Sequence, residues 1–395
     1  MRTSPVRPVA RTSDPTTGTT SGTAAPPKHT RADTSEDVAP APQYTAPPQA
    51  NSCSDAFSQV EPLGLAATYW GVAADVEPSE DLTIRFTGVR VATDDHPPTE
   101  KDRFERTLVV KPLPATGGRF AATARIHGVA SGEWKVSAHR LGGAERTERP
   151  QRSVLTARTA LLNHGPAVRL WSWPGLVAAG AVVAVILQGL LLSRTDTNVA
   201  AAVSISAVSC ILGYVGAKAW YLILHRQPVR AFIRAGACIQ GFLVVALSTL
   251  IVGGALGGMD VGTVVDATTP GLFLGMAIGR PGCFLAGCCS GRPTRSRWGL
   301  FSSDRILATR RIPVQLYEAA AALLIAGVTL SVLLRVHLPV GGLLFVGSIA
   351  AYTLIRQGLF SFRVDTHTRR GRLAVSLVCC AVLIGVAAGS QVLSR

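Results

Sequence analysis

Seven long apolar runs fill the carboxy-terminal part of this 395-residue chain, and they constrain its fold more than any other feature. Each run is close to the roughly 20 residues that an α-helix needs to cross a bilayer. A soluble helical bundle is the alternative, but seven such runs in succession argue against it. We therefore predict a polytopic α-helical membrane protein with about seven transmembrane helices within residues 170–395. The runs cover approximately residues 171–193, 199–224, 232–256, 264–283, 316–334, 340–360 and 373–393.

The amino-terminal part has a different composition and divides into three segments. Residues 1–52 are rich in Pro and Thr and lack the apolar run of a secretory signal, so we predict a disordered tail there. Residues 53–143 contain five or six short stretches of alternating polarity, separated by Pro, Gly and Asp clusters, which predict a small β-sandwich-like domain. Residues 144–169 are predicted to be a charged linker. The sandwich carries no recognisable catalytic pattern, so we interpret it as a binding or positioning module.

The net charge of +15 is carried largely by arginine, which raises the question of a nucleic-acid partner. The chain has no zinc-finger spacing, no aromatic RNA-binding motif and no basic recognition helix, so we predict none. The arginines instead concentrate in the loops after the second, fourth and sixth apolar runs, for example Arg226, Arg295 and Arg369. The positive-inside rule therefore predicts that these loops lie in the cytoplasm, and that the amino-terminal domain lies there with them.

A polar stretch at residues 275–291 interrupts the fourth apolar run and continues into the next loop. It contains Arg280, five glycines and the cysteines Cys283, Cys288 and Cys289. A cation in an apolar span needs a partner, and we favour an anion at the level of the lipid headgroups. A snorkelling arginine at the cytoplasmic edge is the alternative. The C-x4-C-C spacing lacks the fourth ligand and the C-x2-C pair of a structural zinc site, so we predict no metal.

Two further polar clusters break the apolar pattern. Gln315 and Glu318 fall on one helical face at the start of the fifth run, with Tyr317 beside them. Tyr352 and Arg356 are i,i+4 neighbours in the sixth run, so a phenol and a guanidinium can address one ligand together.

Arginine is suited to planar, two-pronged recognition of phosphate. Arg280, Arg356 and Arg363 could therefore form a clamp for the headgroup of an anionic phospholipid. The alternative is that each arginine pairs with Asp266, with Glu318 or with backbone carbonyls, and only holds the helices together. We favour the clamp.

At these residues the chain resembles the prolipoprotein diacylglyceryl transferase family, whose signature reads G-R-x-G-N-F-x-N-G-E-x-x-G. The resemblance covers the seven apolar runs and none of the first 165 residues or so. It also includes the segment Pro-x-Gln-Leu-Tyr-Glu at 313–318. The single positions that match are Asp266, Pro270, Gly279, Arg280, Gly282, Phe284, Gly287, Gly291, Tyr352 and Arg356.

The resemblance implies an enzyme of the bacterial plasma membrane. Such an enzyme moves the diacylglyceryl group of phosphatidylglycerol onto the thiol of a prolipoprotein cysteine and releases glycerol phosphate, without a cofactor. It implies that Arg280 and Arg356 hold the phosphate and stabilise charge on the departing group. It further implies that Tyr352 helps to orient the headgroup. From the polar clusters and the resemblance together, the predicted substrate-binding residues are Arg280, Gly282, Gly291, Gln315, Tyr317, Glu318 and Arg363.

The chain also departs from the family pattern. The family has a histidine in an H-G-G segment near the third span, where this chain aligns Gln240, and glutamine cannot accept a proton at neutral pH. Two asparagines and a glutamate of the signature become Cys283, Ala286 and Cys288. Gln240 and Cys283 occupy positions of the family's histidine and of a signature asparagine. We include both as catalytic candidates beside Arg280, Arg356 and Tyr352. The family places its site on the outer face of the membrane, whereas the loop arginines here predict the cytoplasmic face.

Three hypotheses follow from these residues. The first is a transferase that passes the diacylglyceryl group of phosphatidylglycerol, or of another anionic phospholipid, to a prolipoprotein or other thiol acceptor. A thiolate beside cations needs less help from a base. The second is a catalytically silent phospholipid-binding module that anchors the β-domain. The third is an enzyme that uses Cys283, Cys288 or Cys289 as its own nucleophile. We favour the first.

Overall fold

A computed structural model describes residues 63–73, 81–91, 102–110, 118–141, 149–232, 238–336, 340–364 and 368–393. The predicted tail at 1–52 lies outside the described residues. Within them the chain forms a two-sheet β-domain followed by a set of long helices. This architecture confirms the prediction of a polytopic helical protein preceded by a sheet-rich domain.

Six strands of the β-domain come from the amino-terminal part of the chain. They are β1 (Gly64–Val72), β2 (Leu82–Arg90), β3 (Arg103–Val110), β4 (Arg119–His127), β5 (Glu133–Leu141) and β6 (Gln151–Thr156). The strands β3-β2-β5-β6 form one antiparallel sheet, and β1 pairs with β4 in the other. Alternate side chains point inwards, as expected of half-buried strands. The core includes Tyr69, Phe86, Phe120 and Trp134.

The sheet extends into the segment 144–169, which the composition predicts as a linker. The strand β6 lies inside that segment and pairs with β5, with Leu155 opposite Trp134. Leu155 packs against the sandwich core, so burial of an apolar side chain holds this part of the segment in the sheet.

A hairpin from the helical part of the chain completes the second sheet. Its strands are β7 (Leu300–Ser303) and β8 (Leu307–Arg311), and the sheet order is β1-β4-β8-β7. Ala122 of β4 lies opposite Leu307 of β8, and Leu307 belongs to the sandwich core. The ring of Trp70 stacks on that of Phe301 with centroids 6.2 Å apart. The β-domain and the loop that carries the hairpin are therefore one packed unit.

Seven α-helices follow the β-domain in the described part of the chain. They are α1 (Ser172–Leu192), α2 (Val199–Leu224), α3 (Ile239–Leu256), α4 (Val261–Ala286), α5 (Val314–Arg335), α6 (Leu343–Leu359) and α7 (Arg369–Leu393). Six of these described helices are long and apolar enough to cross a bilayer, and α3 is shorter. The predicted third run starts near residue 232, seven residues before α3 begins.

Small residues allow the helices α1 and α4 to approach closely. A Cβ placed on Gly180 would lie 2.5 Å from the carbonyl oxygen of Gly275, and one on Gly271 would lie 2.5 Å from that of Ala184. Such contacts replace the hydrophobic driving force that is missing between helices in lipid. They fix the position of α4, which carries Arg280.

Candidate functional site

Three helix ends meet on the side of the bundle that carries the hairpin. Arg280 lies near the carboxyl end of α4, Glu318 in the first turns of α5, and Arg356 in the last turn of α6. Arg363 follows α6 after a short 3-10 turn, Phe360–Phe362. These residues come from four stretches of sequence, and helix packing brings them together.

Glu318 is the common partner of the arginines. Its carboxylate lies 2.8 Å from Nη1 of Arg280, 3.5 Å from Nη1 of Arg363 and 3.7 Å from Nε of Arg356. The Glu318 side chain is only 1% exposed, and the Arg363 side chain 5%. Arg280 is 14% exposed and Arg356 31%, so both can still be reached from outside the cluster. We name these four residues the arginine cluster.

The arginine cluster holds three cations and one carboxylate, so two positive charges are in excess. Asp266, the other acidic partner considered from the sequence, does not contribute to it. Its two carboxylate oxygens accept hydrogen bonds from the backbone N–H groups of Gly342 and Phe345, at the start of α6. The arginines pair with Glu318, as the scaffold alternative expects, but one carboxylate does not neutralise three cations. The phosphate clamp stays a prediction.

Two backbone segments hold the cluster in place. The helix α4 ends at Gly287, whose left-handed conformation (φ +68°) suits glycine. The segment 290–292 then runs beside 362–364, where the Arg292 backbone N–H donates to the carbonyl oxygen of Phe362. Nε of Arg292 donates to the carbonyl oxygen of Arg363 at 2.9 Å. The position of Arg363 is thus set by the loop after α4.

Two buried arginines of the hairpin loop were not singled out from the sequence. Nε of Arg305 donates to the carbonyl oxygen of Ala286 at 3.0 Å, where a cation complements the carboxyl end of α4. Arg311 bonds to Asp304 at 2.6 Å and to the carbonyl oxygen of Gly291. Sequence alone offers no signal for these roles, because the residues resemble ordinary loop cations.

The β-domain contributes a further cation at this junction. Arg125 of β4 lies close to Arg305, and burial together with that neighbouring positive charge lowers the pKa of Arg125 to about 10. Arginine with such a pKa is still charged at neutral pH. The junction between sheet and helices is therefore positively charged.

Two predicted site residues contact the surroundings of the cluster. The Tyr352 ring packs on that of Phe273 with centroids 5.6 Å apart, and Tyr352 is buried beside the cluster. The Gln315 side-chain amide donates to the carbonyl oxygen of Cys288 at 2.8 Å. This bond ties α5 to residues 287–292 after α4, which we call the signature loop. Gln315 therefore positions the loop.

Two other predicted residues take no part in the ion pairs that hold the cluster together. Tyr317 is 41% exposed on α5, because a helical step of one residue rotates it away from Glu318. Gln240 is exposed at the amino end of α3, and within the described residues the ion pairs of Glu318 are with Arg280, Arg356 and Arg363.

The predicted glycines and cysteines pack around the site. Gly291 lies against the carbonyl oxygen of Ile312 and leaves no room for a side chain. A Cβ on Gly282 would lie 3.1 Å from the backbone of Trp173, so a side chain there would require a small shift of that backbone. Cys283, Cys288 and Cys289 are buried together with Ala286, and the partly buried Trp173 packs against them. The thiols of Cys283 and Cys289 are within electrostatic range of Arg280. The described residues contain no group of His, Cys, Asp and Glu that could hold a metal ion.

Comparison with known proteins gives a consistent result. A family model described as prolipoprotein diacylglyceryl transferase matches residues 162–393. A relative from Acaryochloris marina, named phosphatidylglycerol–prolipoprotein diacylglyceryl transferase, is 28% identical over 232 residues, which are 54% of this chain and 83% of the relative. Proteins of the same name from Clostridium tetani and Frankia alni are 27% and 29% identical, over 40% and 55% of this chain and 68% and 61% of their own.

Proposed function

The chain belongs to the prolipoprotein diacylglyceryl transferase family, a family of transferases, and on that premise we propose that it transfers the diacylglyceryl group of phosphatidylglycerol to a thiol acceptor such as a prolipoprotein cysteine. The observation that carries the proposal is the arginine cluster. Its two excess positive charges suit a phosphate group, and it lies at the helix ends, where lipid headgroups lie in a bilayer.

Arg280 and Arg356 hold the phosphate in this proposal. Both side chains are partly exposed, and Glu318 orients their guanidinium groups through one carboxylate. Arg363 is almost completely buried and bound to the signature loop, so it acts mainly by positioning the carboxylate. Tyr352 is buried beside the cluster and interacts with Arg280, so in this proposal it orients that guanidinium group.

The reaction is a displacement at the glyceryl carbon that carries the phosphate. The acceptor sulfur forms a bond to that carbon, the carbon–oxygen bond breaks, and glycerol phosphate leaves with the electron pair. Negative charge grows on the departing phosphate, where Arg280 and Arg356 stabilise it. The thiol proton leaves to water or to the released phosphate.

The acceptor supplies its own thiolate in this proposal. Gln240 cannot act as a base at neutral pH, because its side-chain amide does not accept a proton there. A thiol that enters beside two uncompensated arginines has a lowered pKa, because the nearby cations favour its thiolate. The chain then needs no histidine at the position of Gln240.

We further propose that the side of the arginine cluster is cytoplasmic. Several cations of the loops after the second, fourth and sixth apolar runs have structural partners, among them Arg305 and Arg311. The exposed cations of the same loops include Arg226, Arg230, Arg295, Arg297, Arg310, Arg369 and Arg370. The pairing of β4 with β8 requires the β-domain and the loop after α4 to share one side. In this orientation the acceptor thiol reaches the site from inside the cell.

Complementation of a transferase-depleted bacterium tests the function. Lipidation of a reporter lipoprotein should be restored by the natural chain and lost in Arg280→Ala. Arg297→Ala, which removes an exposed cation outside the cluster, is the matched control and should behave like the natural chain. Absence of lipidation with a folded, membrane-inserted natural chain would refute the proposed reaction.

Reporter fusions test the orientation separately. Alkaline phosphatase and a fluorescent protein are fused separately after Arg395. A cytoplasmic amino terminus with seven spans predicts an active phosphatase and a dark fluorescent protein. Silent phosphatase with bright fluorescence would reverse the orientation, so that the acceptor thiol would reach the site from the outer face.

A further inference from the structure

A cavity lined by two arginines lies between α6 and α7, and none of its lining residues belongs to the arginine cluster. Its volume is about 540 Å³, within the range of ligand-binding cavities. On α6 it begins at Leu354, and Gln357 in its wall is the residue next to Arg356 of the cluster. Its lining residues are Leu354, Gln357, Gly358, Arg369, Arg372, Leu373 and Ser376.

Two arginines from the first turn of α7 form its polar end, and none of the lining residues is acidic. Arg372 donates a hydrogen bond from Nη2 to the carbonyl oxygen of Gln357 at 2.8 Å. Its Nε is buried and has no hydrogen-bond partner among the described residues. A buried donor without a partner is costly, so this guanidinium is suited to an additional acceptor. The amino end of α7 also favours a negative charge nearby.

The other end of the cavity is apolar and open. Leu354 and Leu373 line it, and a Cβ placed on Gly358 would meet no atom within 4 Å. The helix α7 is largely exposed along its length and lies mainly against α6. A slot between two helices with cations at its headgroup end matches an acyl chain joined to a phosphate.

We propose that this cavity binds a second anionic phospholipid, separate from the one at the arginine cluster. Arg369 and Arg372 bind its phosphate, and an acyl chain lies along Leu354, Gly358 and Leu373. The bound lipid fills the gap between α6 and α7 and thereby supports the flank of the helix that carries Arg356. The inference rests on this cavity and does not depend on the transfer reaction.

The test measures lipid bound to the full-length protein by native mass spectrometry, after reconstitution in nanodiscs of phosphatidylglycerol and phosphatidylcholine. The double variant R369A/R372A should reduce the affinity of this site for phosphatidylglycerol by roughly 30-fold. Gly358→Leu should displace the same lipid by filling the slot, with both arginines still present. Arg370→Ala is the matched control, because this exposed neighbour does not line the cavity.

Each outcome decides the proposal. Loss of one bound phosphatidylglycerol in R369A/R372A and in Gly358→Leu, but not in Arg370→Ala, supports it. Unchanged binding in the first two variants overturns it, and so does equal retention of phosphatidylcholine. Loss in R369A/R372A alone would overturn the proposed position of the acyl chain in the slot. Displacement by inorganic phosphate alone would overturn the proposal of a lipid and identify a free-phosphate site. Arg280→Ala should remove the other lipid, which separates this test from that of the transfer reaction.

Discussion

Glu318→Gln is the substitution that tests the arginine cluster most directly. The change keeps the size of the side chain and removes the carboxylate charge that faces Arg280, Arg356 and Arg363. Three cations then remain close together with no counter-charge. Since Glu318 is 1% exposed, water cannot replace the lost interaction.

The magnitude follows from the distances. Two unit charges about 4 Å apart interact by roughly 4 kcal/mol at an effective dielectric constant near 20. The nearest pair, Arg280 with Glu318, is closer than this, and the Arg356 pair is weakened because that side chain is 31% exposed. Removing one partner of a buried ion pair typically costs about 3–5 kcal/mol. We therefore expect Glu318→Gln to lower the free energy of unfolding by about 3–5 kcal/mol.

Thermal unfolding of the purified protein in detergent measures the effect. At roughly 2–4 °C per kcal/mol for a domain of this size, Tm should fall by about 10 °C. Glu105→Gln is the control, because Glu105 forms an exposed ion pair with Arg85 and its loss should cost less than about 1 kcal/mol.

Lipid addition distinguishes a phosphate site from a purely structural ion pair. Phosphatidylglycerol should restore more of the lost stability in Glu318→Gln than it adds to the natural protein, since its phosphate replaces the missing charge. A Tm equal to that of the natural protein would refute the electrostatic argument. A lowered Tm that phosphatidylglycerol cannot raise would refute the phosphate site.

Three further predictions concern other parts of the molecule. Asp260→Ala removes the cap of α4 and should cost about 1 kcal/mol in thermal unfolding. Hydrogen bonds from Thr263 lower the pKa of Asp260. The stabilisation by the cap is therefore fully present above about pH 4 and is lost as the pH falls through the folded-state pKa. A cap effect that does not change with pH would contradict this. Cys289 should react with maleimide at about pH 6 faster than the equally buried Cys379, because Arg280 is nearby; equal rates would indicate packing alone. Leu307→Asp should expose the hairpin to limited proteolysis, at a cost of about 3 kcal/mol, since it places a charge in the sandwich core; an uncleaved hairpin would refute that pairing.

Much of the architecture could be predicted from local sequence pattern. The helix α2 has the predicted bounds, Val199–Leu224, and α1 differs from the predicted run by one residue at each end. Apolar length sets these bounds, because a backbone in lipid must satisfy its own hydrogen bonds. The first five strands of the sandwich also follow from alternating polarity.

The candidate site was predicted in part. The i,i+4 spacing of Tyr352 and Arg356 and the face shared by Gln315 and Glu318 follow from helix geometry. The exposure of Tyr317 required knowledge of which face of α5 packs inwards, and the sequence does not state it. The roles of loop arginines such as Arg305 depended on which backbone carbonyls lie near them.

The sequence by itself determined the membrane-spanning helices, the sandwich strands and the set of polar residues from which the site is built. Only the tertiary structure decided that Glu318 is shared by three arginines, and that β8 pairs with a strand more than 180 residues earlier in the chain. The physical reason is the range of the forces. Hydropathy and helical period reflect residues that are near neighbours in sequence. Ion pairing and strand pairing depend instead on how distant elements pack, as the close contact between Gly180 of α1 and Gly275 of α4 illustrates.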